Sequence, residues 1–450
     1  MQKNQIIDVT CQRLGAEMEG VCFHEGMAVF VPYALPGEEI ACRIVKVQKR
    51  HAFGRLTEIK SKSADRQMPP CPVFYRCGGC AAQHMTYEQT LHFKRVQVED
   101  CFLHIGGLQV TVPPVLGMDD PWHYRNKTAL PVGGEAGKPV IGFYAPRSHD
   151  IIDTAFCPVA REGLNGVMKA VRRWMEAYHI EPYQEESHTG LLRHVMARES
   201  RAGDVMAVLV INGTVLPKEK ELLAELKKEV PTLVSLCISV HTARSNVILG
   251  SNFKVLWGQE RLRDTLCGLN FDLSPLSFFQ INPEQTEVLY QTALDFAGLC
   301  TCETVVDVYC GAGTISLLLA KCAKHVIGIE TVEAAVSDAR ENARVNGINN
   351  AEFITGEAEV ILPRLVKEGL KPEVIVLDPP RKGVEPQVVD AIAAAQPRRV
   401  VYVSCNPATQ ARDAALFVKA GYQITRCQPV DMFCWTHGVE NVLCFDLVEG

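Results

Sequence analysis

In the last third of the chain, short apolar runs alternate with longer stretches that carry a helical period. The runs are "TVVDVYC", "HVIGIE", "EVIVLDPP" and "RRVVYVSC". Between them stand "GAGTISLLLAKCA", "VEAAVSDARENARVNG" and "PQVVDAIAAAQP", the second closed by Gly347. Strands alternating with helices predict a mostly parallel, doubly wound α/β sheet. Ligands of such sheets sit beyond the carboxyl ends of the strands. Cys310, Glu330, Asp378 and Cys405 all fall at such ends, so one crevice is expected to collect them.

The first sixty residues have a different rhythm. Closely spaced strands are expected at Gln5–Thr10, Met27–Val31, Glu39–Val47 and Phe53–Glu58, with "VPYALPGEE" as punctuation. Many short strands in a small unit predict an OB-like β-barrel, a fold often used on nucleic acid. "SKSADRQMPP" reads as a linker. The middle mixes strands (Val205–Ile211, Leu233–Val240) with helices (Leu164–Ala177, Lys218–Glu229) and shows no internal repeat. A chain of 450 residues is long enough for several domains. The expected division is a barrel over 1–60, a central α+β domain over 61–275 and a Rossmann-like domain over 276–450.

Composition narrows the class. No apolar run reaches the roughly 18 residues needed to span a bilayer, and "MQKNQIIDVTCQRLG" has no signal-peptide core. A cytoplasmic protein with no membrane partner is expected. Its 18 cysteines then predict metal or catalytic use for a few and packing for the rest, not disulfides. The net charge of -6 does not advertise nucleic-acid binding, but charge is uneven. Between Ala41 and Lys62, Arg43, Lys46, Lys49, Arg50, Arg55, Lys60 and Lys62 face the single acid Glu58. That stretch is either a solvated strand face or a phosphate-contacting one.

The candidate chemistry lies at the strand ends. After Asp307, Gly311 and Gly313 permit a tight turn and close approach to a ligand. Glu330 ends the next strand, where a carboxylate accepts ribose hydroxyls. Ser316 stands where a dinucleotide fingerprint has its third glycine. An adenosine ligand without phosphates fits better, and S-adenosylmethionine is such a ligand. In "LDPPR", Arg381 replaces the aromatic residue of amino-group methyltransferases, leaving Asp378 as a cofactor or substrate ligand. One chemistry asks for an exposed thiol and a nearby base: methylation of uracil at carbon 5. A thiolate adding to carbon 6 activates carbon 5, and a base must then take the carbon-5 proton. Cys405 supplies the thiol, although cysteine is among the most buried residue types. Glu440, inside the apolar "GVENVLCF" with His437 nearby, supplies the base.

Together, "SCNPAT", "DVYCGAGT", "DPPRKG", "SFFQINP" and "DMF…T…VE" resemble the RNA uracil-5-methyltransferases, most closely those acting on 23S ribosomal RNA. The resemblance covers nearly the whole chain. It implies a class I S-adenosylmethionine-dependent fold, Cys405 as nucleophile and Glu440 as base. It also implies that Gln280, Tyr309, Glu330 and Asp378 line the cofactor site. Residues 1–60 resemble the family's TRAM domain, which tips the basic stretch towards RNA. The chain departs from the family before its last motif. Cys434 and Trp435 replace a Pro-His pair, and Gly438 replaces a histidine, so the groups that orient Glu440 must differ.

"CPVFYRCGGC" spaces Cys71, Cys77 and Cys80 as C-x5-C-x2-C. Cys157, like Cys71, precedes a Pro-Val pair. Four thiolates suit zinc or a [4Fe–4S] cluster, and the resemblance implies the cluster, in a structural role. The expected protein is a monomeric 23S ribosomal-RNA methyltransferase. The alternatives are the same chemistry on tRNA and a non-catalytic RNA-binding iron–sulfur protein.

Overall fold

The computed structural model describes residues 1–250 and 252–448. Its first unit is a closed barrel of Ile6–Leu14, Gly20–His24, Met27–Val31, Glu39–Val47 and His51–Ser61. Alternation along the strands turns Val9, Cys22, Val29, Ile40 and Ala52 inward. The strand Gly20–His24 has no counterpart among the expected ones. It forms a hairpin with Met27–Val31 through Glu25 and Gly26, both at positive φ (49° and 78°). Two left-handed residues make the tight turn that strand twist favours, but Glu-Gly is a weaker signal than Asn-Gly. On the barrel's outer face, Phe30, His51 and Phe53 touch one another with ring centroids 5.2–5.8 Å apart. Arg43 and Arg55 pair across the adjoining strands on the same face.

A seven-stranded mixed sheet occupies the middle of the chain. Every residue of its strand Val205–Ile211 is buried, with Leu233–Val240 parallel on one side and Leu192–Glu199 antiparallel on the other. The helices Glu162–Tyr178 and Glu219–Glu229 cover one face through Trp174, Met175, Leu222 and Leu226. These helices match the expected ones to within two residues at each end.

The last sheet is also seven-stranded. Its order is Ala351–Thr355, His325–Glu330, Thr304–Val308, Val374–Leu377, Arg399–Ser404, Glu440–Leu447, Tyr422–Val430. The first five are parallel; Glu440–Leu447 is antiparallel to both neighbours. The order reverses between Thr304–Val308 and Val374–Leu377, where a doubly wound sheet opens its ligand crevice. The stretch 61–275 is not one packed unit. Val98 and Phe102, from the helix Tyr87–Cys101 and the π-helical turn after it, join the core on one face of this last sheet. The hairpin Leu262–Leu266/Leu269–Leu273 joins the core on its other face. Apolar residues that pair with a distant sheet carry no local mark of their partner, so linear division misplaces them.

Cys300 and Cys302 are bonded to each other, against the expectation of no disulfide; the other sixteen cysteines are free. The two lie two residues apart in the turn before Thr304, within reach of each other whatever the rest of the chain does. No described helix is long and apolar enough to cross a membrane.

Candidate active site

The strand Thr304–Val308 runs out into three left-handed residues: Tyr309 (φ 71°), Gly311 (φ 54°) and Gly313 (φ 81°). The amides of Tyr309 and Cys310 both donate to the Ile329 carbonyl at 2.9 Å, which holds the turn against the neighbouring strand. Gly311 opens onto the crevice. Gly313 does not, contrary to the expected cofactor contact. A Cβ there would stand 3.0 Å from Ala339 and 3.1 Å from the Phe353 ring, so this glycine lets helix and sheet close up. Ser316 has a role that a third glycine lacks: its hydroxyl donates to Asp307. The other Asp307 oxygen is buried with no partner among the described residues. Burial pushes the Asp307 carboxyl up to about 7, against the Ser316 hydrogen bond.

Glu330 is held in place by two backbone amides. Gly311 donates to one carboxylate oxygen (3.1 Å) and Val332 to the other (2.9 Å). Across the crevice, Asp378 follows the strand Val374–Leu377, and burial alone raises it to about 7. The "DPPRKG" loop is latched to the next strand–helix junction. Asn406 (3.1 Å) and Thr409 (3.3 Å) both donate to the Arg381 carbonyl. Asn406 also caps the helix Pro407–Lys419, accepting from the Ala408 amide.

Cys405 sits at that junction, half-buried. Burial raises its thiol, and Glu440 raises it further; Arg381 opposes both by charge and hydrogen bond, and Asp378 adds a smaller upward push. Glu440 opens the strand Glu440–Leu447 and is 4% exposed. Burial, then the nearby Asp378 charge, lifts it to about 8 against the pull of Arg381. One crevice is therefore lined by Gln280, Tyr309, Gly311, Glu330, Asp378, Cys405 and Glu440. Cys310 lines it too, as its strand-end position predicts. His437, near Glu440 in sequence, is exposed and lies outside the lining. Arg381 and Phe433 also line it, and both were overlooked as site residues. Arg381 carried a signal, since the motif that binds its carbonyl stands right after Cys405.

The four other candidate thiols meet in a second, small cavity. Cys71, Cys77, Cys80 and Cys157 line it with Val73, Phe74, Phe143 and Arg125. Burial raises all four. Backbone amides point at three of the sulfurs: Val73 and Phe74 at Cys71, Gly79 at Cys77 (3.3 Å), Val159 and Ala160 at Cys157. Among the described residues, no three His, Cys, Asp or Glu side chains converge as they would around a single ion.

Known proteins resolve the class. The sequence pattern of the tRNA (uracil-5-)-methyltransferases matches residues 86–446, and that of the TRAM domain matches 2–57. The chain belongs to the uracil-5-methyltransferase family. An RNA methyltransferase of Halalkalibacterium halodurans is 46% identical, over 99% of this chain and 98% of that one. One of Clostridium tetani is 44% identical over 98% and 96%. The crystal structure of Pyrococcus abyssi tRNA (uracil-54, C5)-methyltransferase with S-adenosyl-L-homocysteine superposes with a TM-score of 0.79. It is 27% identical and covers 97% of this chain and 99% of that one. The protein is thus an S-adenosylmethionine-dependent RNA uracil-5-methyltransferase with an α/β catalytic fold and an N-terminal TRAM barrel.

The carboxyls of this methyltransferase make its ligand affinity depend on pH. Burial raises Asp378 to about 7 and Glu440 to about 8, so at neutral pH Glu440 is mostly protonated and Asp378 about half so. A cation entering beside them favours their ionised forms, so binding expels protons. Affinity for S-adenosylmethionine, charged at sulfur, is expected to rise between pH 6 and 8, by up to about tenfold per pH unit for each proton released. S-adenosylhomocysteine, uncharged at sulfur, is expected to give a flatter profile. Titration calorimetry of both ligands checks this; parallel profiles would contradict it.

Proposed function

We propose that this enzyme methylates carbon 5 of a uridine in 23S ribosomal RNA through a covalent adduct with Cys405. The observation that carries the reading is the meeting of Cys405, Glu440 and Asp378 in one crevice, with Arg381 beside the thiol. S-adenosylmethionine supplies an electrophilic methyl group, and the buried carboxyls of Asp378 and Glu440 in the crevice lining are a fitting environment for a sulfonium cation. Gln280, Tyr309, Gly311, Glu330 and Asp378 would hold it. The chemistry then falls to the chain's own residues. The Cys405 thiolate, favoured by Arg381 and by the amino end of the helix Pro407–Lys419, adds to carbon 6. Once carbon 5 is methylated, Glu440 takes its proton. The electron pair of that C–H bond restores the carbon 5–carbon 6 double bond, and the carbon–sulfur pair leaves with Cys405 as thiolate. A uracil reaches so deep a crevice only when turned out of its stack, at a cost of a few kcal/mol that is least in loops. A monomeric enzyme is part of the same proposal.

On the barrel, Arg43 and Arg55 beside Phe30, His51 and Phe53 combine phosphate-binding charge with rings on which bases stack. The ribosomal reading rests on the sequence resemblance. A second reading, tRNA, is favoured by the Pyrococcus abyssi enzyme, whose likeness spans the barrel as well. Mapping 5-methyluridine in both RNA classes from cells lacking this protein separates the two.

The four-cysteine cavity fits a [4Fe–4S] cluster. One zinc ion holds four thiolates about 3.8 Å apart, as Zn–S bonds of about 2.3 Å require. A four-iron cube holds them further apart, and the reading rests on four cysteines lining one cavity together with the sequence resemblance. Amides aimed at the sulfurs and the nearby Arg125 offset the charge of a tetrathiolate site.

Two outcomes are expected. On a denaturing gel, Glu440→Gln leaves RNA covalently attached, while Cys405→Ala binds RNA and gives neither adduct nor product. Release of product by Glu440→Gln at the normal rate would place the base elsewhere. Protein purified without oxygen is expected to be brown, with about four irons per chain. Stoichiometric zinc without iron would overturn the cluster.

A further inference from the structure

The segment that delivers Glu440 is tied to distant parts of the chain as well as by its own turn, in which Thr436 donates to the Phe433 carbonyl. Between the strands Tyr422–Val430 and Glu440–Leu447, four consecutive carbonyls are taken up by distant donors. Met432 accepts from the Asn282 amide (3.2 Å) and Phe433 from the Lys94 ammonium (3.0 Å). Cys434 accepts from the Tyr124 hydroxyl (3.0 Å), and Trp435 from the amides of Ala81 and Ala82 (2.8 and 3.0 Å). At the head of the segment, Asp431 is wholly buried. It receives the Tyr87 hydroxyl at 2.7 Å and pairs with Lys94, itself 0% exposed.

Trp435 is the pivot. It stands at φ 64°, a conformation that a bulky residue keeps only where its surroundings impose it. Its indole stacks on Trp122 (4.6 Å, 23°) and donates to the Pro121 carbonyl at 3.1 Å. The same apolar group contains Cys80 and Cys157, and Ala81 directly follows Cys80. Cys405 is mounted differently. Its junction is fixed by Ser404, Asn406 and the Arg381 carbonyl, and it meets the Glu440 strand through the Ser404–Asn441 pair, beyond the segment 431–436.

We propose that Trp435 is a positioning residue that ties Glu440 to the four-cysteine cavity. The state of that cavity then governs proton removal and adduct release, and leaves thiol addition alone. This rests on the reading of Cys405 and Glu440 given above. It also says what replaces the family's Pro-His pair at Cys434 and Trp435.

The test uses cluster-containing enzyme and two RNA substrates. On 5-fluorouridine RNA, where fluorine cannot leave as a proton does, the rate of covalent trapping reads the Cys405 step. On ordinary RNA, the fraction still attached after one turnover reads the Glu440 step. Trp435→Ala is expected to trap within about twofold of wild type, yet to release ordinary RNA at least tenfold more slowly. Trp435→Phe, which keeps a stacked ring, restores release. Equal slowing of both steps, or of neither, overturns the proposal. A wild type that never traps would instead sink the covalent reading beneath it. Should Trp435→Ala fail to fold, hydrogen exchange on wild type decides. Stripping the iron is expected to speed exchange across residues 431–440 and leave 404–410 protected. Exchange unchanged in both segments, or faster in both, overturns the proposal.

Discussion

Three carboxyls buried at one sheet edge, with one guanidinium nearby, are the constraint on which the active site depends. Asp307, Asp378 and Glu440 are drawn inside in or beside the strands of this sheet, and burial raises each carboxyl, to about 7, about 7 and about 8. A buried carboxylate without a partner is costly, so these groups favour their protonated forms. A cationic cofactor reverses that preference. On the proposed mechanism, Asp378 then serves as a counter-ion and Glu440 is ready to accept a proton. Arg381 is near enough to favour a Cys405 thiolate and is itself exposed, so it does not quench the carboxyls. The same dry edge thus serves binding and catalysis.

Much of this was legible in the chain itself. The last-third strands and helices fall where their apolar rhythm predicts, because a parallel sheet buried on both faces leaves unbroken apolar runs. Strand ends then predict which side chains share the crevice, and Cys310, Glu330, Asp378 and Cys405 all line it. What escaped depends on contacts far apart in sequence. Gly313 reads like a ligand-contacting glycine but serves the packing of Ala339 and Phe353. The helix Tyr87–Cys101 looks like part of the middle and packs on the last sheet. Gly20–His24 was hidden by an unremarkable Glu-Gly turn.

The two reacting side chains stand at neighbouring strands of one sheet, but the segments that lead to them are held by different parts of the chain. Cys405 is set by the catalytic sheet and the latch to Arg381, all within the last third of the chain. Glu440 pairs with Val430 in the same sheet, and the segment leading to it is bonded at Trp435 to Ala81 and Ala82, beside the cysteine cavity. Such a division explains why a middle region with no residue in the chemistry is knit so closely to the last motif.

The account stands or falls on which atom of the enzyme bonds to the base. The most direct measurement is peptide mass spectrometry of the complex trapped on 5-fluorouridine RNA. The account predicts one nucleotide adduct, on the peptide carrying Ser404-Cys405-Asn406. An adduct on another cysteine of the crevice, such as Cys310, or the absence of any covalent complex, would contradict it.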